Sequence, residues 1–197
     1  KPDLIAALEK TARQAQRAGQ IIHRIRAFVK RSEPQRQQAQ ARAIIDDAVE
    51  LAGIGHSVER LPENVRPNMH DLMAGKNAAA KAYREAGINP SDIDLAEVHD
   101  CFTINQIMST EALGLSDDGR AGYDYLDGRF TRDERVAGNL SGGLKSKGHP
   151  VGATGASMHP LIYKQLIGEP IGVAAKKADI GVAFNVGGSA VTNCVTV

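Results

Sequence analysis

Two hydrophobic periods run through this chain, and no single packing unit satisfies both. Leu4, Leu8, Thr11, Ala15, Ala18, Ile22, Ile25 and Val29 recur at alternating steps of four and three, which lines them along one seam of a helix and demands a partner helix. Proline disfavours helical geometry in the residue before it, so Ser32-Glu33-Pro34 ends that helix. A second, shorter amphipathic helix is predicted over 43–52, ended by Gly53. From Gly55 to Met69 the pattern breaks into a polar stretch with Pro62 and Pro67, the best linker in the chain. The expected organisation is a helical segment over residues 1–56, a linker over 57–69 and a second domain over 70–197.

Beyond the linker the texture is that of an α/β fold, in which a mixed sheet carries helices. A helix is predicted over 74–86 with Gly87 closing it, then the Asn89-Pro90-Ser91 turn and a strand over 95–98 that stops at His99. A helix over 104–113 and a polar excursion over 116–136, expected to ride on the surface, follow. Another helix is predicted to reach Leu166, and two apolar β runs over 180–186 and 190–197 are joined by Gly187-Gly188-Ser189 as a tight hairpin.

A chain of 197 residues with 42% hydrophobic and 24% charged content has the balance of a soluble globular protein. Its longest apolar runs fall far short of the ~20 residues that cross a bilayer, so no membrane span is expected. The net charge of +1 is unevenly spread: residues 1–36 hold nine Lys or Arg against three Asp or Glu. Phe28 alone stands among those charges, not the run of aromatics a nucleic-acid platform needs, so nucleic acid is not an expected partner. Two cysteines, Cys101 and Cys194, make neither a disulfide framework nor a four-ligand zinc site, which points to the cytoplasm and to no metal. The chain opens at Lys1 in mid-pattern without a charged-then-apolar leader, as a piece of something longer with no visible secretory address would.

Reactive side chains in α/β folds gather just past the carboxyl ends of strands. His99-Asp100-Cys101 sits at such a place, and it sets an imidazole and a thiol on one short loop, suited to proton transfer if Cys101 is poised near neutral pKa. The same residues also read as a satisfied cap and a small buried apolar side chain. Gly148-His149-Pro150-Val151-Gly152-Ala153-Thr154-Gly155 flanks a histidine with glycines where a helix begins, holding an imidazole beside free backbone N–H groups. That outlines an oxyanion site, although glycines of this kind also serve plain turns. Gly-Lys-Ser/Thr is missing at the spacing a phosphate-binding loop needs.

Taken in order, Glu97-Val98-His99-Asp100-Cys101-Phe102, the run from Asn139 through Ser141-Gly142-Gly143 to Gly155, and Asn185-Val186-Gly187-Gly188-Ser189 resemble the C-terminal half of thiolases. The likeness covers roughly residues 70–197 and is closest to the sterol-carrier-protein type and the related archaeal and bacterial acetyl-CoA acetyltransferases. It implies Claisen condensation of acyl-CoA molecules or thiolytic cleavage of a 3-ketoacyl-CoA, with coenzyme A thioesters as substrates and no cofactor. It also implies roles: His149 in an oxyanion hole and in activating a nucleophilic cysteine, His99 at a second oxyanion hole, often through water, and Cys101 as the acid/base. Gly148, Gly152, Asn185 and Gly187 are the implied substrate-binding positions. Asn185 occupies the place where other thiolases carry a Cys-x-Gly cysteine, and Cys194 matches no catalytic position and reads as core.

The departure is large, because the family's acylated cysteine belongs to a first half that this sequence does not contain. The chain is therefore expected to be inactive alone, and to be a homo-oligomer or to require that missing half. Its final strands are expected to be central, with helices on one face and the missing half on the other, so that an isolated fragment would aggregate or dimerise. Two other readings stay open: half of a thiolase-like aldolase acting on steroid side-chain CoA esters with a small OB-fold partner, and a non-catalytic interaction module. Residues 7–31 resemble the second dimerisation helix of sensor histidine kinases, and the stretch through Ala52 resembles the lead-in to their ATP-binding domain; His23 does not match that family's phosphoacceptor.

Overall fold

The computed structural model describes residues 49–60 and 70–197. The heptad helix, the kinase-like resemblance over residues 1–48 and the proline stretch over 61–69 lie outside the described residues. The described elements are β1 (Ile54–Val58), α1 (Met73–Ala86), β2 (Leu95–Val98), α2 (Thr103–Ala112), α3 (Ala121–Leu126), β3 (Ala137–Gly138), α4 (Gly143–Lys147), α5 (Thr154–Leu166), β4 (Gly181–Gly187) and β5 (Thr192–Thr196). The strands form one sheet in the order β1-β5-β4-β2-β3. β2 runs parallel to both β3 and β4, while β5 is antiparallel to both β4 and β1.

Side chains alternate across this sheet, and each face has its own helices. Ala96, Val98, Val182, Phe184, Val186 and Val195 point to one side, where they pack with Ala78, Ala79, Ala82 and Tyr83 of α1 and with Ala112 of α2. Leu95 and Ala183 point to the other, where Met158 and Ile162 of α5 meet them. The expected open face on the final strands is thus corrected for β4, whose two sides are both covered by helices of this chain. The reason is that α5 follows the Gly-His-Pro loop directly and lies back over β2 and β4. Ile162 is pressed so close that a Cβ at Gly181 would stand 2.4 Å from its Cγ2.

α1 is built from small residues, and that choice brings β1 onto the sheet. A Cβ at Gly55 would stand 1.7 Å from the Ala78 carbonyl oxygen, and one at Gly53 would stand 2.3 Å from that of Ala82. Strand and helix therefore meet backbone to backbone. Residues 49–52 are not helical and 54–58 form a strand, which overturns a helix continuing to Ala52 and a linker spreading from Gly55. The compact unit containing the sheet runs from Asp47 to Val197. α1 also closes the strand's free edge: the Ile54 amide donates to Glu85 Oε2 at 2.8 Å, and Lys81 Nζ donates to the His56 carbonyl at 2.8 Å.

Two further expectations shift. The excursion over 116–136 contains α3 and sends Ala121, Phe130 and Val136 inward, so it is not purely a surface loop. The β4–β5 connection is wider than a tight hairpin, because Gly187 pairs with Thr192 and leaves four residues between. Gly188, Ser189 and Ala190 in that loop all take positive φ, at 49°, 44° and 62°.

Candidate functional site

The carboxyl ends of β2 and β4 deliver the site. β2 ends at Val98, where parallel pairing with the short β3 has run out, and Asn139 continues the ladder with its side chain. Its Oδ1 accepts from Val98 N at 2.7 Å and its Nδ2 donates to the Val98 carbonyl at 3.2 Å, with Asn139 itself in a left-handed turn at φ 47°. The next residue, His99, is buried. Its carbonyl accepts from Asn105 Nδ2 of α2, and its Nδ1 meets Asn185 Oδ1 of β4 at 2.8 Å. Asn185 reaches that position because the second residue of α5 is a glycine: a Cβ at Gly155 would stand 2.9 Å from Asn185 Nδ2.

His149 arrives from the other loop. Its Nδ1 meets Thr154 Oγ1 at 2.7 Å, and the Thr154 hydroxyl donates to the Pro150 carbonyl at 3.3 Å. Because that hydroxyl proton is committed, Thr154 accepts from His149 Nδ1–H and leaves Nε2 free. The Asn185 amide oxygen, likewise an acceptor, fixes the proton of neutral His99 on Nδ1. The two imidazoles stand edge to face with ring centroids 4.8 Å apart.

A cavity of about 820 Å³ opens in front of them, lined by His99, Cys101, His149, Gly152, Asn185 and Gly187 among others. Six of the seven sequence-selected positions thus share one wall. Gly148 does not: it caps α4 at φ 88° and contributes nothing to the lining, so its role is to let the backbone turn. Phe102, Ile104 and Val151 also line the cavity yet stand 73%, 58% and 89% exposed, which makes the mouth apolar. A second cavity of about 560 Å³ runs along α5 and contains neither His99, His149 nor a cysteine. Cys194 is half-buried on β5, where it pairs with Asn185, but it does not line the cavity.

Burial holds the His99 imidazole below its ordinary 6.5, with the Asn185 bond opposing that shift, so the ring is neutral near pH 7. Burial also pushes the Cys101 thiol above 9.0, more than the local backbone N–H groups pull it down. Cys101 therefore does not meet the condition of a near-neutral pKa. At pH 7 it is a thiol that can give a proton, and it becomes a base only after giving one. Among the described residues no group of three or more His, Cys, Asp or Glu is arranged to hold a metal, and no helix is long and apolar enough to cross a membrane.

A mixed sheet of this order, with one histidine loop after β2 and another leading into α5, is the thiolase-like α/β half. The chain belongs to the thiolase C-terminal domain-like family, whose model matches residues 55–197. It is 37% identical over 155 residues to an acetyl-CoA acetyltransferase of Methanothermobacter thermautotrophicus, covering 79% of this chain and 40% of that protein. It is 42% identical over 112 residues to sterol carrier protein 2 of Rattus norvegicus, covering 57% of this chain and 20% of that protein. In shape it is similar to the Ltp2-ChsH2(DUF35) aldolase, with a TM-score of 0.60 at 19% identity over 73% of this chain and 38% of that one. The chain thus spans well under half the length of these relatives.

Proposed function

We propose that this chain is the C-terminal catalytic half of a thiolase-type acyl-CoA acyltransferase, which works once a nucleophile-bearing half completes it. The observation that carries the reading is the shared cavity. His99 and Cys101 come from one loop, His149 from another fifty residues away, and all three line it, with both imidazole Nδ1 atoms already engaged. His149 Nε2 is then free to take the proton of an attacking cysteine, and the resulting imidazolium donates to the thioester oxygen. Neutral His99 offers a lone pair at Nε2, so its route to a second oxyanion is a water that it accepts from and that donates onward. Cys101 supplies a proton to the departing carbanion or thiolate and recovers it in the reverse direction.

The test is complementation. The chain alone, and the chain mixed with a separately produced N-terminal half of the Methanothermobacter acetyltransferase, are assayed for thiolysis of acetoacetyl-CoA. Turnover in the mixture alone is expected, with His149→Ala lowering it by about 10²–10⁴-fold. A folded mixture without turnover sinks the acyltransferase reading. The aldolase reading draws support from the likeness in shape to an aldolase and from chemistry, since a retro-aldol cleavage needs a proton carrier and a carbonyl-polarising group but no acylated thiol. Retro-aldol release from a steroid side-chain CoA ester, with a small OB-fold partner supplied, separates the two. The kinase-like reading of the first residues remains a proposal of its own, and truncation before Val49 without effect on either assay would detach it from this site.

A further inference from the structure

We infer that Glu97 is a positioning residue that holds the His99 loop and the His149 loop at their working separation. The inference rests on the reading of those two histidines as one catalytic pair. Glu97 is 3% exposed and lies on β2 two residues before His99. Its Oε1 accepts from Ser141 N at 3.1 Å and its Oε2 from Ser141 Oγ at 2.7 Å. On the same side, Lys147 turns its ammonium inward to 4.0 Å from Glu97 Oε2, and that nitrogen is buried with no hydrogen-bond partner. Lysine ordinarily sends its charged head to water and buries only its stem, so the reversed orientation marks the carboxylate as its counter-charge.

The offsets match. Glu97 stands two residues before His99, and Lys147 stands two residues before His149, so the ion pair joins the two histidine-bearing strands of backbone at equal distance along the sequence. A second carboxylate braces the same joint. Asp100 Oδ1 accepts from Leu144 N at 2.8 Å, and a Cβ at Gly143 would stand 2.0 Å from Asp100 Oδ2. Ser141 and Gly143 are further tied by the bond from Gly143 N to Ser141 Oγ at 3.3 Å. The run from Ser141 to Lys147 is thereby clamped to the end of β2 at both of its own ends. Burial pushes the Glu97 carboxyl above its usual range, while Ser141 and Lys147 favour its ionised form.

The experiment reads ring geometry in this chain without substrate. Nuclear Overhauser spectra, with ring signals assigned through His99→Gln and His149→Gln, give a cross-peak between the two imidazoles in the native chain. Glu97→Gln keeps size and leaves Lys147 without its counter-charge. That cross-peak is expected to vanish and the His99 titration midpoint, to which the neighbouring His149 contributes, to move, while the amide signals of α1 stay in place. Adding Lys147→Met removes the stranded ammonium without restoring the pair, and the cross-peak is expected to stay absent. An unchanged cross-peak and His99 midpoint in Glu97→Gln overturns the proposal, and so does a double variant in which the cross-peak returns. Should Glu97→Gln fail to fold, Ser141→Ala is read instead, with a weakened cross-peak expected and an unchanged one overturning. Activity does not enter these readouts, so a failed complementation would strike the acyltransferase reading and leave this geometry to be judged separately.

Discussion

Burial, against the opposing pull of the Asn185 bond, holds His99 as a neutral ring, and its protonation is disfavoured in the folded state. The sign follows: a histidine whose folded pKa is lowered loses the fold stability as pH drops below 6.5, because the unfolded chain takes the proton more readily. Asn185→Leu removes the bond that opposes burial, so the His99 midpoint is expected to fall further in a proton NMR titration of its Cε1–H. A midpoint that rises instead would mean that the Asn185 bond does not support the charged ring. His99, Cys101 and His149 were legible in the sequence because each sits in a compact local motif of glycines, proline or acid. Glu97 and Asn139 open two of those motifs, but what they do was not legible, since their partners lie more than forty residues away in sequence. Thr154 was visible in its motif, but the dependence of His149 on its hydroxyl emerges only from three-dimensional contact.

At the scale of elements, Gly55 in β1 and Gly53 just before it decide more than any larger residue of that strand. Gly55→Ala drives a methyl into the α1 backbone and is expected to cost about 1–3 kcal/mol or more by urea denaturation. Gly122→Ala in α3, where the new Cβ meets Ile107 at an ordinary 3.6 Å, is expected to be neutral or stabilising by about 0.5–1 kcal/mol. Equal effects would refute the close strand–helix contact. Asp94 ties the opposite end of the sheet: it is buried, and it accepts from Lys177 Nζ and from the amides of Asp179 and Ile180 just before β4. Burial alone would raise its carboxyl, but these donors together hold it below 3.8. The stability it contributes is complete above 3.8 and is lost as pH falls through the lower folded value. Asp94→Asn should therefore be less stable than the native chain at pH 7, with the gap closing toward acid in denaturation curves. α1, β2, α2 and α5 were readable from period and punctuation. β1 was not, because Gly53 and Gly55 carry the sequence signature of a helix end, while their use here is to admit a neighbouring backbone.

At the scale of the described residues, β4 is covered on both faces, and three of the exposed apolar side chains, Phe102, Ile104 and Val151, gather at the cavity mouth. Contact by a completing half at that rim would bury them. In its absence the chain is expected to self-associate in analytical ultracentrifugation at high concentration, and Phe102→Ser with Val151→Ser should shift the distribution toward monomer. A native chain that stays monomeric throughout would place the completing surface elsewhere. The order β1-β5-β4-β2-β3 carries one more consequence. A ribosome releases β1 ahead of the other described strands of this sheet and its pairing strand, β5, behind them all. During synthesis the first strand must wait with its inward edge unsatisfied while the rest emerges, so the sheet closes only after translation has passed β5, and slow long-range pairing governs how fast newly made chains mature.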